Sequence, residues 1–234
     1  MTKSKDVATK ANQLPAEMSL AERIKQDLQA AAEQVESAAV ERIRMGAKGF
    51  TTPDGETGSS IHGVVVDFIS ANMHYPKAFN KDDPSPPNCF ALGRIPAQMV
   101  PDAKSEEPQA EACSTCEKNK FESGVGKSKA CKNTRLLAIL QENAGEESPV
   151  WLLTIPPASI RYFDTYVSTT LRGRYGLPPI GVLTEIYMDP NKDFAAPRFR
   201  YSRTLTEDEL AYYYSRKEEA EATLFQKPIT TSSS

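Results

Sequence analysis

The sequence predicts an α+β chain. A small antiparallel sheet or barrel carries a cross-linked excursion and is flanked by N- and C-terminal helices. Three observations predict it. Apolar residues recur at spacings of three and four near both ends, at Leu20, Ile24, Leu28, Ala31, Val35 and Ala39, and again from Leu210 to Leu224. Short β-branched and aliphatic runs fill the middle, at Ile61 to Ile69, Arg135 to Leu140, Val150 to Ile155 and Gly181 to Met188. Between the first two runs lies a segment with seven prolines, from Pro76 to Pro108, followed by a basic stretch; together they hold all four cysteines. Proline removes a backbone donor, so its segment forms neither a long helix nor a central strand.

Taken in order, residues 1–18 read as a disordered lead-in. Ser19 and Glu22 fit a capping box that opens a helix over 19–46, with Gly46 and Gly49 as stops. Its Ala-rich stripe either packs on the core or pairs with another subunit. A turn-rich loop over 51–60 precedes the first strand. Cys89 to Gly93 is the one extended piece expected inside the proline-rich surface segment. Asn143-Ala144-Gly145 is a turn between strands. Ile160, Phe163, Val167 and Leu171 mark a helix that Gly173 can end. Arg198 to Arg203 alternates as a half-exposed strand does, with arginines on one face and aromatics on the other. The last helix has the clearest start: Thr206 as N-cap, Glu209 at the third position, and Leu205 against Leu210 as a hydrophobic staple. It is expected to run to about Leu224. The core then spans 60–225, with an insertion at about 75–133, and 226–234 is a flexible tail. An OB-like barrel fits this order of elements.

No apolar run approaches the roughly 20 residues that span a bilayer, and the first residues lack the apolar core of a signal peptide. A cytosolic location is therefore expected, where thiols stay reduced. In that compartment Cys89, the knuckle Cys113-x-x-Cys116 and Cys131 predict one tetrahedral, structural Zn²⁺ per chain. Two disulfides, or buried thiols without a partner, are the other readings. His62 or His74 could replace Cys89 as a ligand. Four thiolates leave no open position for water, and no Ser-His-Asp set or spaced carboxylate pair stands out, so an enzyme is not expected.

The same stretch is basic. Lys118, Lys120, Lys127, Lys129, Lys132 and Arg135 face the single acid Glu122, on a chain whose net charge is −3. Gly124-Val125-Gly126-Lys127-Ser128 looks like the end of a phosphate-binding loop. The glycine required five residues before Gly126 is Phe121, and neither the strand nor the helix of that motif flanks it. A glycine-rich turn whose backbone and lysines approach phosphates remains, or else a solvated basic loop. Aromatic residues interleave with arginines further on, and Tyr162 and Tyr166 lie beside the apolar stripe of their helix as candidates for base stacking.

In Asn88-Cys89-Phe90-Ala91, Cys113-x-x-Cys116 and Gly126-Lys127-Ser128-Lys129-Ala130-Cys131-Lys132-Asn133, the chain resembles the zinc-containing single-stranded-DNA-binding proteins of tailed bacteriophages. That resemblance covers about residues 60–225 in layout. It implies an OB-fold core with a structural zinc insertion. It also implies binding of unpaired DNA in replication and recombination, in the host cytoplasm and alongside proteins of those processes. The best-known members of that group use a histidine among the zinc ligands and many end in an acidic tail; this chain offers four cysteines, and its last nine residues hold no acid. A competing expectation is a zinc-stabilised assembly or virion component, a homo-oligomer without affinity for nucleic acid. A regulator reading duplex DNA with the knuckle would need a recognition helix after it, and none is evident.

Overall fold

In a computed structural model the described residues are Arg23, 40–77 and 85–228. The expected lead-in, most of the helix expected over 19–46 and the end of the tail lie outside them. Where that helix was expected to finish, Arg42–Met45 is instead a strand, β1. Alternation explains the change: Ile43 is buried and Arg44 exposed, a period of two and not of 3.6.

The other strands are β2 (Phe50–Thr51), β3 (Thr57–Gly58), β4 (Ser60–His74), β5 (Cys89–Gly93), β6 (Lys132–Gln141), β7 (Trp151–Ile155), β8 (Val182–Met188) and β9 (Pro197–Thr204). They form one mixed sheet in the order β3-β2-β1-β7-β6-β4-β8-β9, with β5 paired to β4. All pairings are antiparallel except β1 with β7. The sheet curls but stays open. β7 gives its second edge to β1, and among the described residues β9 pairs only with β8. A path β7-β6-β4-β8-β9 with a helix between β7 and β8 is compatible with an OB-like fold.

The aliphatic runs are continuous because both sheet faces are covered. Val64, Leu136, Ala138, Leu140 and Leu152 share one core with Leu205, Tyr213, Ala220 and Leu224. Their neighbours Val65, Leu137, Ile139, Trp151 and Leu153 share the other with Phe50, Phe163 and Ile186. A bulge between Val65 and Asp67 shifts the alternation in β4 by one. Val64 before it, Val66 within it, and Ile69 and Ala71 after it therefore reach the same core. The bent strand pairs β8 along Ser60–Gly63 and β5 along Ser70–His74. Gly63 is needed at this crossing: a Cβ there would stand 2.7 Å from the Leu140 oxygen and 2.8 Å from Ile139 Cγ2.

Helix α1 (Ile160–Thr165) passes into a π-helical segment, Tyr166–Tyr175. It ends at Gly176, which takes the left-handed φ of 68°, and not at Gly173. The last helix begins at Thr206 with the capping box expected, the Thr206 side chain accepting from the Glu209 N–H. It breaks at Arg216 into α2 (Glu207–Ser215) and α3 (Lys217–Leu224). The Arg216 guanidinium donates to the carbonyls of Glu146 and Ser148 and to the Tyr212 hydroxyl, an anchorage that fixes the bend. Arg94 joins α3 to the bulge, donating to Asp67 at 2.8 and 2.9 Å and to Glu221 at 2.9 Å. None of the described helices is long and apolar enough to cross a membrane.

Candidate metal centre and nucleic-acid groove

The insertion is built around β5. One edge of this strand pairs β4, placing His74 opposite Cys89. Its other edge would be a row of open backbone groups, and the following loop covers it. Asp102 N–H donates to the Phe90 carbonyl at 2.8 Å, and Ser105 Oγ lies 3.1 Å from both the N–H and the carbonyl of Phe90. The loop then returns: Cys113 N–H donates to the Met99 carbonyl, and Cys131 N–H to the Lys118 carbonyl. Cys89 thus opens β5, Cys116 precedes the turn Glu117–Asn119, and Cys131 directly precedes β6.

These three segments and Cys113 bring all four sulfurs to one cavity of about 10 Å³, which His74 and Asn72 also line. On that scale ~10–15 Å³ admits one water-sized particle. All four cysteines are buried and free. Burial pushes the Cys131 thiol up to about 12, with the neighbouring Cys113, Cys116 and Cys89 adding to the effect. Burial also raises Cys113, against a hydrogen bond from Asn72 that lowers it. Among the described residues, no group of three or more His, Cys, Asp or Glu side chains stands in a geometry that could hold a metal ion in its present arrangement. The donor set nonetheless suits one: four sulfurs that repel as thiolates share a single small space, where a cation would relieve the repulsion. Of the two histidines, His62 is exposed on the first half of β4 and pairs Glu185, away from the cavity. His74 lines the cavity, and its Nδ1 is 2.9 Å from Asn88 Oδ1.

A chain of amides supports the loop between Cys116 and Cys131. Asn133 Nδ2 donates to Asn72 Oδ1 and to Asn119 Oδ1, while Asn119 Nδ2 donates to the Cys113 carbonyl at 2.8 Å. Gly124 lies so close to Ser128 and Lys129 that a Cβ would stand 2.7 Å from Ser128 Oγ, and Gly126 takes a left-handed φ of 63°. The segment is a run of turns with no strand before it and no helix after it, so it does not form a nucleotide-binding loop.

The basic candidates separate by their partners. Arg135 is committed to the fold: its guanidinium pairs Asp164 at 3.1 Å and donates to Ser70 Oγ at 2.6 Å, leaving its side chain 15% exposed. Lys120 pairs Glu117. Lys118, Lys127, Lys129 and Lys132 take part in none of the ion pairs among the described residues. Lys129 and Lys132 line a groove of about 540 Å³ with Phe121, Asn133, Ile160 and Arg161. That groove runs between the cysteine loop and the start of α1.

The two tyrosines also separate. Tyr166 is buried, its hydroxyl 2.8 Å from Thr184 Oγ1 and its ring stacked on Phe199, so it is a core residue and cannot offer a face to a base. Burial pushes its phenol up to about 12. Tyr162 is half-buried, with the Arg198 guanidinium 3.4 Å from its ring centre. The residue missed in the sequence is Phe121, 75% exposed beside Lys129. The available signal was a large apolar side chain inside a Gly-, Ser- and Lys-rich loop that has no core to receive it. Comparison of the chain with protein-family models, with characterised proteins and with solved structures finds no match.

Proposed function

We propose that the protein binds single-stranded DNA with little sequence preference, through the groove beside the cysteine cluster, and that it is a binding protein and not an enzyme. The observation that carries this reading is the groove itself. Its cations Lys129, Lys132 and Arg161 take part in no ion pair among the described residues, and its aromatic Phe121 is open. Phosphates need the first and unstacked bases the second. A structural Zn²⁺ held by Cys89, Cys113, Cys116 and Cys131 would fix the loop that presents them, since such loops bury too little apolar surface to hold one shape alone. The open curled sheet would serve as an OB-like core, in keeping with the resemblance to phage single-strand-binding proteins of replication and recombination. The reading goes with work in a cytosol, the host's if the gene is a phage's, because thiols that hold a metal stay reduced there.

The test is a titration of a labelled oligonucleotide at low salt with single- and double-stranded competitors. Preference for the single strand is expected; no binding, or equal preference for duplex, would sink the proposal. A second reading, an assembly component, draws on Ile95 and Val100, which stand 53% and 56% exposed on the insertion. It predicts a defined oligomer whose size does not change with oligonucleotide.

A further inference from the structure

We infer that Phe121 is the base-stacking platform of this protein and that Arg161 bridges two grooves into one continuous track for the strand. The inference rests on the single-strand reading and assigns its contacts. Phe121 belongs to no buried cluster among the described residues and stays 75% exposed. An exposed phenyl ring that packs nothing contributes little to folding. Its surroundings are those of a recognition surface: Lys129 Nζ lies 5.1 Å from the ring centre, and Lys132 lines the same groove. A base on the ring would have its phosphates within the field of both lysines.

Arg161 lines this groove and also a second one of about 320 Å³, which Tyr162, Tyr187 and Arg198 share. The guanidinium of Arg161 lies over Tyr162, 4.6 Å from the ring centre, and donates to its hydroxyl. That contact holds it at the junction without spending its charge, because no ion pair among the described residues includes it. The second groove is different in kind. Its other cation, Arg198, pairs Asp189 at 2.7 Å and already covers Tyr162. Net positive charge and an open ring therefore coincide on the Phe121 side, and Arg161 carries the track across.

The experiment uses the full chain and the Phe121→Trp variant. The native Trp151 is buried at 5% exposure, so a new tryptophan at 121 supplies the solvent-exposed emission. Binding of an end-labelled thymidine oligonucleotide is followed by anisotropy while tryptophan emission is recorded. Quenching that tracks the binding curve is expected. Phe121→Ala should weaken binding about 5- to 150-fold and Phe121→Tyr should restore it. The loss should vanish with an abasic strand of equal length. Arg161→Gln should lower the salt slope by about 0.7. Unchanged emission at saturation, or equal losses on normal and abasic strands, overturns the assignment of Phe121 while leaving single-strand binding intact. An unchanged slope for Arg161→Gln overturns the bridge. Absence of anisotropy change in the wild type overturns the single-strand reading, and this inference with it.

Discussion

Replacing Lys129 and Lys132 by glutamine removes two of the three cations that line the larger groove. Each phosphate neutralised on a single strand contributes about −0.7 to the slope of log affinity against log salt. Three contacts give about −2.1, so raising salt from about 50 to 200 mM should weaken the wild type about 20-fold. With Arg161 alone the slope falls to about −0.7, and the same change in salt costs about threefold. Arg135→Gln is the control. It is as basic in sequence as its neighbours, yet its charge is spent on Asp164 and its side chain is 15% exposed. Its slope should match the wild type. The assay is oligonucleotide anisotropy at four or five salt concentrations, with thermal melts to show that each variant is folded. A slope unchanged in the double variant, or reduced in Arg135→Gln, would refute the division of paired from unpaired cations.

Three further outcomes are expected. Metal analysis should find about one Zn per chain, and Cys113→Ser should lose it together with thermal stability, because a structural zinc contributes to folding directly; a metal-free, fully folded wild type with four free thiols would count against the centre. Gly63→Ala should lower stability by about 1–3 kcal/mol, since its methyl group meets the Leu140 carbonyl across the β4–β6 pairing and neither strand can yield; a melt equal to wild type would show that the crossing is looser than described. Glu209 is held down to about 2 by its hydrogen bonds from Arg203 first and from the Thr206 backbone second. A depressed carboxylate stabilises the fold above its ordinary value of 4.5 and loses that contribution as pH falls towards about 2. Acid melts of Glu209→Gln should therefore be less steep than wild type in that window, by a modest margin because the pair is solvent-screened.

Features fixed by local chemistry were legible in the sequence. The capping box at Thr206 and the short strand Cys89–Gly93 between prolines stand where their residues require. All four cysteines line one cavity, and the pairing of β5 with β4 carries Cys89 to it. What depends on distant partners was not legible. Arg42–Met45 became a strand because β7 offered an edge, and Arg216 broke the last helix because carbonyls of residues 146 and 148 captured its guanidinium. Arg135 looks like any basic residue until Asp164 and Ser70 are placed beside it. Tyr166 looks like a surface aromatic until the π-helical turn directs it towards Thr184. An isolated phenylalanine such as Phe121 has no periodicity to mark it; its polar, glycine-rich surroundings are the one sequence signal, and its exposure gives that signal meaning.

Photocrosslinking would show whether the cysteine-tied loop and the start of α1 form the single-strand groove. A thymidine oligonucleotide would be irradiated with the zinc-loaded protein and the adducts mapped by mass spectrometry. Crosslinks at Phe121, in the Lys129–Asn133 segment and around Arg161 are predicted. Adducts confined to other surfaces, such as the exposed Ile95 and Val100, would contradict this assignment.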